Sequence, residues 1–184
     1  MGTLVAGAVA LVGIVFFEFG MEPLVRRIAE SQLAEAATRV KADLDGVFQP
    51  TEHALRMGRQ WIHGAPPSPG AIEAFNIVFM PVLEALPEAS SINVGASTGE
   101  GWMLMQHADG GWRNCITDLN RWGRRHVFID REPNGSVRRH RENVDYDPRL
   151  RAWYTSAMAL PGKVQWTPPY AFFITGDPGI TASI

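Results

Sequence analysis

From Glu22 to about Gln49, Val25, Ala29, Leu33, Ala36, Val40, Leu44 and Val47 recur at spacings of three and four. That spacing lays one apolar stripe along an otherwise polar helix. Val25, Ala36 and Val47 fall eleven apart, close to the pitch of a straight helix. At about 1.5 Å of rise per residue, such a helix reaches tens of ångströms. Pro50 is expected to interrupt it, and Thr51 and Glu52 can restart a helix that runs to Ile62. The same stripe can also cover the chain's own core, and the two roles are compatible.

Before the stripe, Gly2 to Phe17 is nearly unbroken apolar sequence with Thr3 its one hydroxyl, and Glu18 ends it. A membrane-spanning helix needs about 20 apolar residues. No basic segment precedes the run and no small-x-small site comes after it, which argues against a secretory leader. A buried soluble helix would carry polar positions on one face. Residues 1–22 therefore read as a membrane anchor and residues 23–63 as a long spine helix. With no positive charge in front of the anchor, its orientation is not written in the sequence.

The remainder, 64–184, is long enough for one packed domain. Hydrophobic residues make up 46% of the chain, which excludes a disordered tail, and the net charge of −2 predicts no bulk attraction to nucleic acid or anionic lipid. Cys115 is the one cysteine, so neither an intrachain disulfide framework nor a multi-cysteine zinc site is available.

Residues 64–70 (Gly-Ala-Pro-Pro-Ser-Pro-Gly) form a loop by composition. A helix is predicted over 71–86 with Phe75, Val78, Phe79, Val82, Leu83 and Leu86 inward, and Pro81 predicts a kink or an end near Met80. After Pro87 the period shortens. Strands are predicted over 91–96, 101–106, 112–117, 125–131 and 137–142, with turns at residues 97–100, at Asp109-Gly-Gly and at Pro133-Asn-Gly. Two further strands are predicted over 164–173 and 179–184. Short strands joined by tight turns make an antiparallel sheet, and the class is α+β.

Between the fifth and sixth strands lies Tyr146-Asp-Pro-Arg-Leu-Arg151-Ala-Trp153-Tyr154. Asp147 can cap a helix whose first position is Pro148, and the helix is expected to run over 149–160 until Pro161-Gly162 stops it. Tyr146 then precedes the helix, with Arg151 and Tyr154 on one face of it. A guanidinium fork beside aromatic rings suits a small carboxylate, including one that carries an amine. The alternative is that Arg149 and Arg151 pair with local carboxylates and the rings are core.

Other motifs carry less. Gly95-Ala-Ser97-Thr-Gly99 matches the nucleophile elbow of serine hydrolases, but that motif needs a helix after the serine and here the next residues have a strand pattern. Ser97 is thus a turn residue and hydrolysis the weak alternative. His126 with Asp130, and His140 with Glu142, lack a third metal ligand, so no metal site is expected and these read as surface residues. The Arg-rich stretch 121–141 is interleaved with Asp130, Glu132 and Glu142 and reads as a solvated sheet face rather than a nucleic-acid surface.

The motif Tyr-Asp-Pro-Arg-x-Arg-x-Trp-Tyr, succeeded by Trp166-Thr-Pro-Pro-Tyr170 and Thr175-Gly-Asp-Pro-Gly-Ile-Thr181, resembles the double Cache sensor family, extracytoplasmic PAS-like modules of bacterial receptors. The resemblance implies a membrane-anchored α+β sensor on the periplasmic or extracellular side of the inner membrane, with a spine helix leading into a PAS-like antiparallel sheet and flanking helices. It implies no catalysis and no cofactor in this segment, a homodimer, and a small-molecule ligand. In amino-acid-sensing members a tyrosine, an arginine and a tryptophan hold the ligand carboxylate, and Tyr146, Arg151 and Trp153 match them. Tyr170 stands where the tyrosine facing the amine belongs. The later aspartate of those members has no counterpart, because Asp177 comes too soon. The family also has a second module and an output domain beyond this point, so the sensor module reads as truncated. The Thr-Gly-Asp-Pro-Gly-Ile-Thr ending leans the resemblance toward a nucleotide cyclase among the possible outputs, which include diguanylate cyclases, histidine kinases and chemotaxis rods.

Overall fold

The computed structural model describes residues 21–64 and 71–184. Packing divides the chain into two units that part between Val47 and Phe48. The apolar run 2–17, expected to be a membrane anchor, lies outside the described residues. Among the described residues no helix is long and apolar enough to cross a membrane.

Helix α1 spans Glu22–Gly64. In the first unit its stripe is bare: Val25, Leu33, Val40 and Leu44 are all exposed, Leu33 by 75%. Around the stripe run exposed pairs one turn apart, Arg26–Glu30, Glu35–Arg39 and Lys41–Asp45, which support a solvated helix only modestly. The expected break at Pro50 does not occur, and the helix continues through it. Pro50 deprives the Gly46 carbonyl of a donor, but both residues are solvent-exposed, so water can take its place.

In the second unit, residues 48–64 of α1 pack with α2 (Ile72–Ala85) against a five-stranded sheet. Phe48 sits edge-on to Trp166 at 4.6 Å, and Glu52 accepts from the Trp166 indole at 3.1 Å. Helix α2 also runs through its proline, so of the kink or end expected near Met80 the end does not occur. Pro81 and the residue whose carbonyl it orphans, Ile77, are both on the wet face. The inward face carries Phe75, Phe79 and Leu83 as the spacing predicts, joined by Ile72 and Asn76.

The sheet is an antiparallel meander, β1 (Ser91–Gly95), β2 (Glu100–Gln106), β3 (Trp112–Asp118), β4 (Arg125–Arg131) and β5 (Val137–Asn143), in that spatial order. Side chains alternate across it. Trp102, Leu104, Trp112, Ile116, Val127 and Ile129 form the core with α2. Asn76 and Asn114 exchange two hydrogen bonds across that core, at 3.0 and 2.8 Å. The opposite face carries Gly95, Gly101, Cys115, Thr117, His126 and Phe128.

A short helix α3 (Leu119–Trp122), capped by Asp118, joins β3 to β4. The segment after β5 differs from expectation. Asp147 does cap, accepting from Arg149 N at 2.9 Å, but the capped element is a single 3-10 turn, Pro148–Leu150. Arg151 is then extended, at φ −87° and ψ 146°, and α4 begins only at Ala152 and ends at Ala159. Two strands expected over 164–173 and 179–184 are each split. β6 (Gln165–Trp166) pairs with β9 (Ala182–Ser183), and β7 (Tyr170–Ala171) pairs with β8 (Pro178–Gly179). Pro168 and Pro169 lack amide hydrogens, so the ladder lapses between the pairs.

Candidate functional site

Two glycines on facing strands make the berth for the 146–154 segment. Gly95 of β1 pairs with Gly101 of β2. A Cβ on Gly95 would stand 2.9 Å from Trp153 Cη2 and 3.1 Å from Tyr154 Cδ2, and one on Gly101 would stand 3.4 Å from Pro148 Cγ. The chain therefore lies directly on the sheet where side chains are absent. This is the packing role of the first glycine of the apparent nucleophile elbow. Ser97 is exposed in the β1–β2 turn, which leads into a strand rather than a helix.

Next to this berth, Tyr146, Arg151 and Phe173 form a three-way cluster. The Arg151 guanidinium lies 5.2 Å from the Tyr146 ring centroid and 5.0 Å from that of Phe173, and the two rings are 5.0 Å apart. The extended backbone at Arg151, between the 3-10 turn and α4, is what separates this side chain from the helix face predicted for it. Arg151 is half-buried and makes no ion pair with a carboxylate among the described residues. Arg149 behaves differently: it doubles back onto Asp147, with 2.7 Å between Nη2 and Oδ2.

Tyr146 is also the hub for the other sequence-derived residues. Burial pushes its phenol up to about 12, opposed by the nearby Trp153 side chain and the Arg151 charge. Trp153 stands edge-on to Tyr154 at 5.8 Å. Tyr170 is close enough to Tyr146 for the two phenols to interact electrostatically, but its hydroxyl is taken by Thr181 Oγ1 at 2.7 Å. Tyr146, Arg151 and Trp153 are thus brought together, with Tyr170 beside them and bonded elsewhere. Asp177 is exposed in the β7–β8 turn.

The floor under Tyr146 is His126, which lies 6.0 Å away, edge-on, and fully buried. The expectation of a surface histidine fails because β4 is an interior strand covered here by the 146–154 segment. Nδ1 is 3.1 Å from Thr117 Oγ1, while Nε2 has no partner at hydrogen-bonding geometry. Burial lowers the His126 pKa, partly offset by the Tyr146 main chain nearby, so the ring is neutral at pH 7. Asp130, also expected at the surface, is buried. Burial opposes its charge, but Arg113 Nε at 2.6 Å and Arg138 Nη2 at 2.9 Å outweigh that and hold its carboxyl below the usual range. The sequence does not mark His126 and Phe173 as site residues, because their place depends on strand register and on a split hairpin.

The described residues form an α+β fold that presents a cation beside two touching aromatic rings and a five-stranded antiparallel sheet. No family model matches the chain, and no solved structure matches it. A 39-residue stretch, 21% of the chain, is 51% identical to the methyl-accepting chemotaxis protein McpC of Bacillus subtilis (strain 168). The match covers 6% of that protein's length.

Proposed function

We propose that this chain is the small-molecule sensing domain of a membrane signal-transduction receptor of the double Cache type. It lies on the extracytoplasmic side and binds an amino acid or another small carboxylate or amine metabolite. The observation that carries this reading is the Arg151 guanidinium, half-buried beside the touching rings of Tyr146 and Phe173 with no carboxylate partner among the described residues. A ligand carboxylate loses its water on binding, and a two-pronged cation in an aromatic frame replaces it. Trp153 and Tyr170 frame the same ligand, and Tyr170 presents a ring face to an amine.

The apolar run 2–17 supports attachment to a membrane. The short likeness to a methyl-accepting chemotaxis protein supports a signalling role and favours a chemotaxis-type output over the cyclase that the chain's ending resembles. No catalytic step is assigned to this segment. Ligand binding signals only if it favours one of two arrangements of paired spine helices, since equal affinity for both shifts nothing.

The test is calorimetric titration of the full chain with a panel of amino acids, dicarboxylates and biogenic amines. At least one is expected to bind, and Arg151→Ala is expected to weaken carboxylate binding about 10- to 100-fold, the loss of a charge-assisted pair. A panel with no binder, or a binder indifferent to Arg151→Ala, overturns the assignment. A second reading rests on the exposed stripe of α1: an ectodomain that only dimerises, in which case self-association persists and the panel stays silent.

A further inference from the structure

β5 is an outer strand of the sheet, so one row of its backbone amides and carbonyls has no partner strand among the described residues. Its two faces differ in how their charges are met. On the face shared with His126 and Phe128, Arg138 binds Asp130 at 2.9 Å and His140 Nε2 stands 3.1 Å from Glu142. On the other face Arg139 sits opposite Ile129 and Arg141 opposite Val127, with Arg125 diagonal to Arg141 across the ladder. Arg141 lies over the Trp122 ring at 5.8 Å, and Arg121 of α3 lies over the same ring at 5.7 Å. All four arginines are exposed, and among the described residues none of them has a carboxylate partner. A chain whose net charge is −2 thus gathers four unpaired cations along one edge of its sheet.

Arginines on an edge strand deter pairing with a second copy. Turned about His140, two antiparallel β5 strands set Arg139 against Arg141 twice. An acidic strand converts the same charges into attraction. Same-face neighbours on a strand are about 7 Å apart, so carboxylates two residues apart on an incoming extended segment meet Arg139 and Arg141 together. We propose that β5 is the docking edge for an extended acidic segment of a partner protein. That segment adds one more strand to the sheet and sets its carboxylates against Arg139 and Arg141, with Arg125 and Arg121 beside them. Lipid headgroups and nucleic acid would engage the charges without using the strand's free backbone row. The surface is separate from the Arg151 cluster and does not depend on it.

The probe is a synthetic peptide of about eight alternating glutamates and threonines, the length of an ordinary strand. It is titrated into the full chain by calorimetry at low salt, with amide hydrogen exchange of residues 137–143 followed in parallel. Saturable binding that slows exchange in β5 is the expected result. Arg139→Gln with Arg141→Gln should weaken it about 2- to 30-fold, the loss of two exposed ion pairs, at an unchanged urea midpoint. Arg125→Gln with Arg139→Gln carries the same test should removal of Arg141 from Trp122 unsettle the fold. The same peptide methylated at every backbone nitrogen keeps its carboxylates but loses its strand donors, and it should not bind. Three results overturn the proposal. The parent peptide fails to bind; every amide of β5 is already protected in the free chain, so that the edge is occupied; or the methylated peptide or phosphatidylglycerol vesicles bind as well as the parent, so that charge alone suffices.

Discussion

At Gly95 a single methyl group decides whether the 146–154 segment can reach the sheet. A Cβ there meets the rim of the Trp153 indole at 2.9 Å and the Tyr154 ring at 3.1 Å, and neither ring can bend away as a flexible side-chain tip would. Gly95→Ala is expected to cost about 1–3 kcal/mol by overpacking, read from the urea midpoint, and to disturb the fluorescence of Trp153. A second residue-scale expectation concerns His126. Its folded-state pKa lies below the ordinary value of 6.5, so the unfolded chain binds the proton more readily. The stability contributed is complete above about pH 6.5 and is lost as pH falls through the folded-state pKa. Urea midpoints measured between pH 7.5 and 5 should decline in the wild type and decline less in His126→Gln. Equal slopes would show that another group controls the transition. Tyr146, Arg151 and Trp153 are singled out in the sequence by the family resemblance, whereas spacing alone places Arg151 with Tyr154 on a helix face that Arg151, extended ahead of the helix, does not join. His126 is not singled out, since it sits amid arginines and only the chain crossing over β4 hides it from water.

Elements are more legible than their junctions. The five strands of the sheet fall within a residue or so of the positions predicted, because period-two patterning and Gly-containing turns both fix them. Neither proline ends its helix. In both helices the proline and the carbonyl it orphans face solvent, a matter of orientation that local sequence does not state. The split of the motif helix at Arg151 likewise reflects tertiary demand, the guanidinium being drawn against two touching rings, one of which is 22 residues away in sequence. The docking of α2 on β3 hinges on a polar pair. Asn76 and Asn114 are both buried and satisfy each other, with Asn114 also donating to the Met103 carbonyl at 3.3 Å. Replacing one strands the other's amide in the core. Asn76→Leu or Asn114→Leu is expected to destabilise by about 1–3 kcal/mol, the cost of a buried polar group left unpaired. The double variant should be less destabilised than the sum of the two. Strict additivity in that cycle would mean that the pair contributes no coupling.

For the molecule as a whole, the open question is what the first unit is for. Among the described residues of the first unit the helix is the one long element, and four of its stripe residues, Val25, Leu33, Val40 and Leu44, are at least half exposed. An isolated helix gains little from its own hydrogen bonds and depends on burying an apolar face. The partner most consistent with a stripe of period three and four, flanked by charges on both sides, is a second copy of the same helix. Burial of these side chains in a homodimer would remove apolar surface from water along most of the helix. The full chain should therefore sediment as a dimer in the micromolar range. Leu33→Glu with Val40→Glu should shift it toward monomer without changing the sheet domain's urea midpoint at low protein concentration. A wild type that stays monomeric throughout, or a double variant that dimerises as well as the wild type, would remove the stripe as the contact. The proposed route for a signal, through paired helices, would then fall with it.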